Sequence, residues 1–272
     1  MKEYQLLDSG YGEKIEWFGD VLLIRPCPQA IWSPSCEEEV WAKVDGRFSR
    51  EEGNRWERFT SFPKEWEITL AGMRMLIKPT DFGHLGVFPE HAAFWPWIGE
   101  MLGSSSRLLN LFAYSGGASL AAAKSGCSVT HVDSSKGMTS WASENARMND
   151  LEKAPIRWIV EDALKYVARA KRRAESYEGI ILDPPTFGRG KNKEVFKIEE
   201  GLYPLLLDCA DLLSEEARFL LVSCHTPGIT PLVLQQLVEE VVGKRGGRVE
   251  SGEMELSGPK RVPSGTYARW IR

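Results

Sequence analysis

The second part of the chain alternates short apolar segments with amphipathic segments, and this pattern constrains the fold more than any other feature. Strand-like apolar segments cover residues 107–113, 128–132, 156–160, 179–182 and 218–222. Helical periodicity covers residues 116–125, 135–148, 163–174, 198–213 and 231–242. After the last helix come two more strand-like segments, 248–256 and 266–271. The alternation predicts an α/β fold, in which helices cover a parallel sheet and ligands bind at the carboxyl ends of the strands.

Residues 1–78 have a different pattern, which predicts a smaller β-rich N-terminal domain. Alternation of apolar and polar residues indicates hairpins at 14–25 and 67–78, with a charged, irregular stretch between them. Seven of the ten tryptophans precede residue 100. We interpret them as closing a small core, and an aromatic surface that binds nucleic acid is the alternative. We therefore expect two domains, 1–78 and 79–272, with an RNA-binding role of the first left open.

Composition narrows the class of protein. The 272-residue chain has no apolar run as long as a membrane span. Its first residues do not show the basic segment followed by an apolar segment that is typical of a signal peptide, so we expect a cytoplasmic protein. Its five cysteines are scattered without a C-x-x-C pair, so we expect neither a disulfide framework nor a zinc site. The net charge of −4 argues against a globally basic nucleic-acid binder and leaves room for a local basic face.

The ends of the first two predicted strands suggest a cofactor site. Residues 109–119 read LNLFAYSGGAS, a glycine turn that opens a helix. Glycine lets the backbone approach a ligand closely, and the N–H groups of a helix start can bind a carboxylate. A purely structural turn is the alternative. Sixteen residues after Gly117, Asp133 ends the second strand, where its two oxygens can bind ribose hydroxyls. The G-x-G-x-x-G pattern is absent, which disfavours NAD.

The third and fourth strands end in further polar motifs. Asp162, in VEDA, is placed to accept a hydrogen bond from an adenine amino group while the Ala163 amide reaches the ring. Capping of the next helix by Asp162 is the alternative interpretation. The fourth strand ends in LDPPTFG, where Pro184 and Pro185 fix an extended loop. Such a loop can direct carbonyl groups and the Asp183 carboxylate toward a nucleobase.

Together these motifs resemble the bacterial class I S-adenosylmethionine-dependent RNA methyltransferases related to the 23S ribosomal RNA cytosine-C5 enzymes. The resemblance covers roughly residues 80–272 and includes GVFPEH (86–91), WASENARMN (141–149) and VSCH (222–225). It implies a Rossmann-like sheet of seven strands with the last one antiparallel, and S-adenosylmethionine as the cofactor. The cofactor-binding residues that it implies are Phe88, Asn110, Phe112, Tyr114, Gly116, Asp133, Ser134, Asp162, Ala163 and Asp183, with Asn145 as a further polar contact. Residues 1–78 do not match the PUA-type RNA-binding module that is frequent in the family.

Two kinds of methyl acceptor fit the proline loop. For C5 of cytosine, a cysteine thiolate adds to C6 and a base removes the C5 proton. The resemblance places Cys224, in VSCH, at the position of that nucleophile, and an inert core cysteine is the alternative. For an exocyclic amine, Asp183 and a proline carbonyl hold the amino group while an aromatic ring stacks on the base. The amine pattern has an aromatic residue directly after the prolines, but this chain has Thr186 there and Phe187 one residue later. We therefore favour C5 of a cytosine in large-subunit ribosomal RNA as the methyl acceptor. The predicted catalytic residues are Cys224 and Asp183.

A basic segment, residues 189–197, follows the loop directly. Its cations would neutralise substrate phosphates, and a solvated loop is the alternative. The substrate-binding residues predicted from the proline loop and from this segment are Pro184, Pro185, Phe187, Arg189, Lys191 and Lys193. We expect RNA as the partner, with no membrane and no metal, and a homodimer is compatible with the sequence. The competing functions are a methyltransferase for a small molecule or a protein, and a catalytically silent RNA-binding assembly factor.

Overall fold

The computed structural model describes residues 3–51, 53–189, 195–243 and 245–272. Contacts between residues divide the chain into a first unit, Met1–Ala93 with Glu255–Ser264, and a second unit, Phe94–Met254 with Gly265–Arg272. These units and the domains predicted from sequence have different boundaries, since the first unit extends beyond residue 78 and includes a segment near the end of the chain. The domain assignment stays a prediction.

Strands dominate the first unit. Its elements are β1 (Tyr4–Gly10), β2 (Glu13–Phe18), β3 (Val21–Pro26), α1 (Glu38–Trp41), β4 (Gly46–Ser49), β5 (Arg55–Arg58), β6 (Trp66–Leu70), β7 (Met73–Ile77) and a 3-10 turn at Pro89–Ala93. β1 to β5 form one sheet in chain order, in which only β3 and β4 are parallel. Both hairpins predicted from sequence are confirmed, because Phe18 pairs with Val21 and Leu70 with Met73. The stretch predicted as irregular contains α1, β4 and β5.

A buried ion pair lies inside this first sheet. The Glu16 carboxylate accepts hydrogen bonds from Arg25 Nε at 2.8 Å and from the Tyr4 hydroxyl at 2.9 Å, and Lys14 Nζ lies 3.1 Å away. Burial alone would raise the pKa of Glu16, but attraction to Arg25 and Lys14 outweighs burial and lowers the pKa to about 2. Glu16 is therefore an ionised group inside the core.

The rest of the chain alternates helices and strands. The elements are α2 (Phe94–Met101), β8 (Arg107–Leu111), α3 (Gly117–Lys124), β9 (Ser128–Asp133), α4 (Lys136–Met148), β10 (Ile156–Val160), α5 (Ala163–Arg172), β11 (Gly179–Leu182), β12 (Phe187–Arg189), β13 (Val195–Lys197), α6 (Ile198–Asp211), β14 (Phe219–Cys224), α7 (Pro231–Val242), β15 (Arg248–Leu256) and β16 (Val262–Ile271). All belong to the second unit except the end of β15 and the start of β16.

Seven of these strands form one sheet, in the order β10-β9-β8-β11-β14-β16-β15. The first five strands in that order are parallel to one another, and the last strand of the chain, β16, runs antiparallel to β14. This is a Rossmann-like sheet of seven strands with its last strand antiparallel, as the resemblance predicts. Strand order reverses between β8 and β11, so a crevice for a ligand is expected at their carboxyl ends.

The central strands β11 and β14 are buried along their whole length and are mostly apolar. One core cluster joins the strand residues Leu111, Leu182 and Val222 to helices. The helix residues in it include Tyr166 of α5 and Leu206 of α6. Strands buried on both faces need continuous apolar runs, and those runs made them recognisable in the sequence. Within the described part of the chain, no helix combines the length and the apolar character needed to cross a bilayer.

Candidate cofactor-binding and active site

The turn between β8 and α3 has an unusual backbone. Phe112, Tyr114 and Gly116 have φ values of 55°, 50° and 92°. The left-handed conformation is unfavourable for an aromatic residue, so other parts of the structure must hold the turn in place. One contact that holds it is the hydrogen bond from the Tyr114 N–H to Asp133 Oδ2, at 2.9 Å. Two motifs that the sequence showed on separate strands therefore meet.

Asp133 is fixed by its neighbours and still has acceptor capacity. Its other oxygen, Oδ1, accepts the Ser135 N–H at 2.8 Å. Burial raises the pKa of this carboxyl, while the hydrogen bonds from Ser135 and Tyr114 act in the opposite direction. A carboxylate has about four lone-pair positions, and these two hydrogen bonds use two of them. The half-buried carboxylate therefore fits the two hydroxyls of a ribose.

The two glycines of the turn are explained by packing inside the protein. A Cβ on Gly117 would lie 2.1 Å from the Trp95 ring, and one on Gly116 would lie 2.9 Å from the Ala142 side chain. The structural interpretation of the glycine turn therefore accounts for both residues. The turn also opens α3, whose first N–H groups have no acceptor within the helix. Gly117 and Ala118 are only half-buried, so this positive helix end suits a carboxylate ligand.

A buried chain of polar side chains supports the turn from within the fold. Asn110 Nδ2 donates to Ser119 Oγ at 2.9 Å, and Ser119 Oγ lies 3.0 Å from His131 Nδ1. Asn145 Nδ2 donates to the Ser115 carbonyl oxygen at 2.9 Å. Both asparagines thus contact the protein itself, and their contact with a cofactor stays a prediction. The sequence did not indicate Ser119 or His131, since neither stands at a strand end.

The ends of β9 and β10 have helix-capping groups. Asp162 precedes α5, and its Oδ1 accepts the Lys165 N–H at 3.1 Å, which confirms the capping interpretation. Ala163 is buried as the first residue of that helix, and Ser134 is exposed next to Asp133. A capping carboxylate has further lone pairs, so capping is compatible with the adenine contact predicted for Asp162.

The loop after β11 is linked to the segment after β14. The Ser223 hydroxyl donates to Asp183 Oδ1 at 2.8 Å, and His225 Nε2 lies 3.8 Å from Asp183 Oδ2. Thr186 Oγ1 and Thr226 Oγ1 are 2.7 Å apart. The carboxyl ends of these two neighbouring strands therefore form one polar surface. The contribution of His225 could not be read from the sequence, because it depends on β14 ending at Cys224.

The loop presents an aromatic ring to solvent. Pro184 is buried and Pro185 is exposed, whereas Phe187 is 48% exposed. An exposed phenylalanine beside a fixed carboxylate is suited to stacking on a planar base. Arg189 is the last residue of β12, and residues 190–194, including the predicted substrate contacts Lys191 and Lys193, lie outside the described residues.

Cys224 differs from the expected reactive cysteine. It is 1% exposed and belongs to the core cluster of the sheet. Burial raises the pKa of its thiol, although the Thr226 N–H donates to Sγ at 3.3 Å. Reactive cysteines have lowered pKa values and some exposure, so the environment of Cys224 favours the core interpretation. Its role as a nucleophile stays a prediction.

One residue of the predicted cofactor set belongs to the first unit. Phe88 lies there, with its ring centroid 5.3 Å from that of His84 and 6.1 Å from that of His91. The other members of the set, from Asn110 to Asp183, belong to the second unit. Those at strand ends lie along one edge of its sheet, the edge formed by the carboxyl ends of the parallel strands.

The fold and this edge define a class of protein: an α/β protein whose Rossmann-like sheet fits a nucleoside-containing cofactor at its strand ends. A model of the S-adenosylmethionine-dependent methyltransferase family matches residues 36–244. The chain therefore belongs to this family, and its cofactor is S-adenosylmethionine. Asp133, predicted to accept ribose hydroxyls, and the open start of α3 fit that molecule, which carries both a ribose and a carboxylate.

Solved structures and curated relatives agree with this membership. The chain is 36% identical to the SAM-dependent methyltransferase from Agrobacterium tumefaciens, with a TM-score of 0.94 over 99% of this chain and 90% of that one. A methyltransferase complexed with S-adenosylhomocysteine shares the fold at 20% identity and a TM-score of 0.77, over 100% of this chain and 76% of its own.

The ribosomal RNA large subunit methyltransferase K/L of Hahella chejuensis is 35% identical over 173 residues, which are 63% of this chain and 23% of the relative. The protein of that name from Aeromonas hydrophila is 31% identical over 159 residues, 58% of this chain and 21% of its own. The chain thus matches less than a quarter of the length of these curated relatives.

Proposed function

We propose that this methyltransferase methylates a base of RNA, with large-subunit ribosomal RNA as the leading candidate. The observation that carries the proposal is the loop that starts at Asp183: a carboxylate oriented by Ser223, followed by two prolines and the exposed ring of Phe187. A fixed acceptor and a stacking surface suit a planar base that carries an amino group. The similarity to the ribosomal RNA large subunit methyltransferases K/L supports RNA as the substrate. With ribosomal RNA as substrate, the protein acts in the cytoplasm.

The cofactor supplies an electrophilic methyl group when it is bound, and the second unit supplies the groups that hold it. We propose that Asp133 binds the ribose hydroxyls, that the first N–H groups of α3 bind the carboxylate, and that Asp162 faces the adenine. The remaining residues of the second unit proposed to line the site are Asn110, Phe112, Tyr114, Gly116, Ser134, Ala163 and Asp183. The contact predicted for Phe88, which belongs to the first unit, stays a prediction. An RNA-binding role of the N-terminal domain is part of the same proposal.

The choice of acceptor atom depends on Cys224. Transfer to C5 of cytosine needs its thiolate, and the Thr226 N–H that donates to Sγ would stabilise that form. The 1% exposure of Cys224 and its raised pKa act against ionisation. An exocyclic amine needs no covalent step, since its nitrogen attacks the methyl group directly. The described geometry therefore favours the amine, while the assignment to C5 stays a prediction.

Methylation of RNA with labelled S-adenosylmethionine, followed by nucleoside mass spectrometry, tests both levels of the proposal. We expect an N-methylated nucleoside from the wild type and from Cys224→Ala, and no denaturation-resistant adduct with RNA that contains 5-fluorocytidine. Cys209→Ala is the matched control, because Cys209 is also a buried cysteine of the same core cluster. Loss of methylation in Cys224→Ala but not in Cys209→Ala, together with a wild-type adduct, would establish C5 chemistry. Label in protein or small molecules but not in RNA would overturn the RNA substrate.

A further inference from the structure

His225 forms a pair with Asp183 that neither the sequence motifs nor the proposed cofactor contacts use. β14 ends at Cys224, and His225 is the first residue beyond it. Its Nε2 lies 3.8 Å from Asp183 Oδ2, and the other oxygen of Asp183 accepts the Ser223 hydroxyl. The His225 side chain is 34% exposed, in contrast to the buried Cys224 beside it. The imidazole can therefore reach a molecule held at the strand ends.

The structure makes room for this imidazole. Gly265 has a φ of 125°, and a Cβ at this position would lie 2.9 Å from His225 Nδ1 and 3.0 Å from the Cys224 carbonyl oxygen. The same Cβ would lie 2.6 Å from Met254 Cε, so glycine here leaves space for the methionine as well as for the imidazole. Gly265 on one side and Asp183 on the other thus define where the ring lies. Histidine is the side chain that most often acts as a general base, and a neighbouring group such as a carboxylate can orient its ring.

We propose that His225 accepts the proton that the methyl acceptor loses, which rests on the proposed function. The acceptor nitrogen attacks the methyl carbon with its lone pair, and the carbon–sulfur bond breaks with its electron pair remaining on sulfur. One N–H proton passes to the His225 ring, and Asp183 stabilises the resulting imidazolium. The same role applies at C5 of cytosine, where removal of the C5 proton restores the C5–C6 double bond and expels the thiolate. The inference therefore does not depend on Cys224.

The 3.8 Å separation is compatible with this role. Catalytic hydrogen bonds are often long in the absence of substrate and shorten when the reacting groups are in place. Asp183 already accepts the Ser223 hydroxyl, so its remaining oxygen can orient the ring. In this arrangement Asp183 positions His225 for the proton transfer, in addition to its proposed contact with the nucleobase of the substrate.

His225→Ala and His225→Gln test the inference by steady-state kinetics on RNA. We expect kcat to fall about 100-fold or more in both, with KM for RNA and S-adenosylmethionine within a few fold of wild type. Added imidazole should restore activity to His225→Ala. Thiazole, which has a similar shape and is a much weaker base, should not. Pro227→Ala is the matched control, since Pro227 is exposed in the same loop and carries no titratable group. It should keep the wild-type kcat and show no response to imidazole.

Three outcomes separate the claims. If the wild type methylates RNA and His225→Ala keeps the wild-type kcat, the role of His225 is overturned and the proposed function stands. If kcat falls in His225→Ala, imidazole does not restore it, and His225→Gln is fully active, the side chain has only a structural role and the inference is overturned. If the wild type transfers no methyl group to RNA, the proposed function fails and the inference fails with it.

Discussion

Replacement of Asp133 by alanine tests the cofactor site most directly. The variant removes the acidic acceptor proposed for the ribose hydroxyls. A hydrogen bond to a charged group contributes about 1.5–3 kcal/mol, which corresponds to roughly a 10- to 100-fold loss of affinity for S-adenosylmethionine. This is the minimum effect expected, because it counts only contacts with the ligand.

The structure adds an indirect effect. The carboxylate also accepts the N–H groups of Tyr114 and Ser135, at 2.9 and 2.8 Å. Tyr114 has a φ of 50°, a conformation that costs on the order of 1–3 kcal/mol and persists only where neighbours impose it. Without its acceptor the turn will relax, so we expect a loss near the upper end of that range, about 100-fold. Asp133→Asn keeps one carbonyl acceptor and places an NH₂ group against a backbone N–H, and its loss should be intermediate.

Titration calorimetry on folded protein measures these affinities, with circular dichroism as the check on folding. Ser140→Ala, at an exposed position of α4, is the control and should bind as the wild type does. Because burial raises the pKa of Asp133, acidification should weaken wild-type binding from a higher pH than for a solvated aspartate. This part of the pH dependence should disappear in Asp133→Asn. An unchanged dissociation constant in Asp133→Ala would remove Asp133 from the site and refute the reasoning.

Two further predictions concern stability. Glu16→Gln leaves Arg25 as a buried charge without its main partner and should reduce the free energy of unfolding by about 3–5 kcal/mol in urea titrations at neutral pH. Since the pKa of Glu16 is lowered to about 2, its ionised form stabilises the folded state above the ordinary glutamate pKa, and this stabilisation should be lost as the pH falls toward 2. An unchanged urea midpoint would contradict both statements. Gly117→Ala should lower the melting temperature and the affinity for S-adenosylmethionine, because its Cβ meets the Trp95 ring, an overpacking effect of about 1–3 kcal/mol. Gly137→Ala should do neither, because its Cβ would lie 3.7 Å from Ser135 Oγ, an ordinary van der Waals contact. Equal melting temperatures for both variants would count against the packing argument.

The sheet and its strand-end motifs could be predicted because each depends on local pattern. β11 is a buried apolar run that Asp183 follows directly, Asp133 is the last residue of β9, and Asp162 lies two residues after β10. Parallel strands bring their carboxyl ends to one edge whatever the details of packing. The contact between Asp133 and Tyr114 could not be predicted, because it depends on aromatic residues in a left-handed conformation that their own preferences disfavour.

The tryptophans show a second limit of sequence reasoning. Apolar character predicts burial, and it does not show which core a residue joins. Trp95 and Trp97 are among the seven tryptophans that precede residue 100, and both lie in α2 of the second unit. Trp95 packs against Gly117, and the Trp97 ring lies 4.8 Å from that of Phe219. The helix itself was not predicted, since its eight residues contain three aromatic residues and a proline, a poor helical signal.

Cys224 and His225 illustrate how a strand end decides chemistry. All six residues of β14 are buried, so side-chain alternation along this strand does not separate a buried face from an exposed one. Exposure begins only where the strand ends, and it ends at Cys224. The thiol therefore belongs to the core, while the next side chain reaches Asp183 and solvent. A motif read only as letters favours the cysteine because thiols are strong nucleophiles. The position of the strand end favours the histidine as the group that meets the substrate, because a proton acceptor must be reachable. Imidazole rescue of His225→Ala tests that role, and the activity of Cys224→Ala tests the thiol separately.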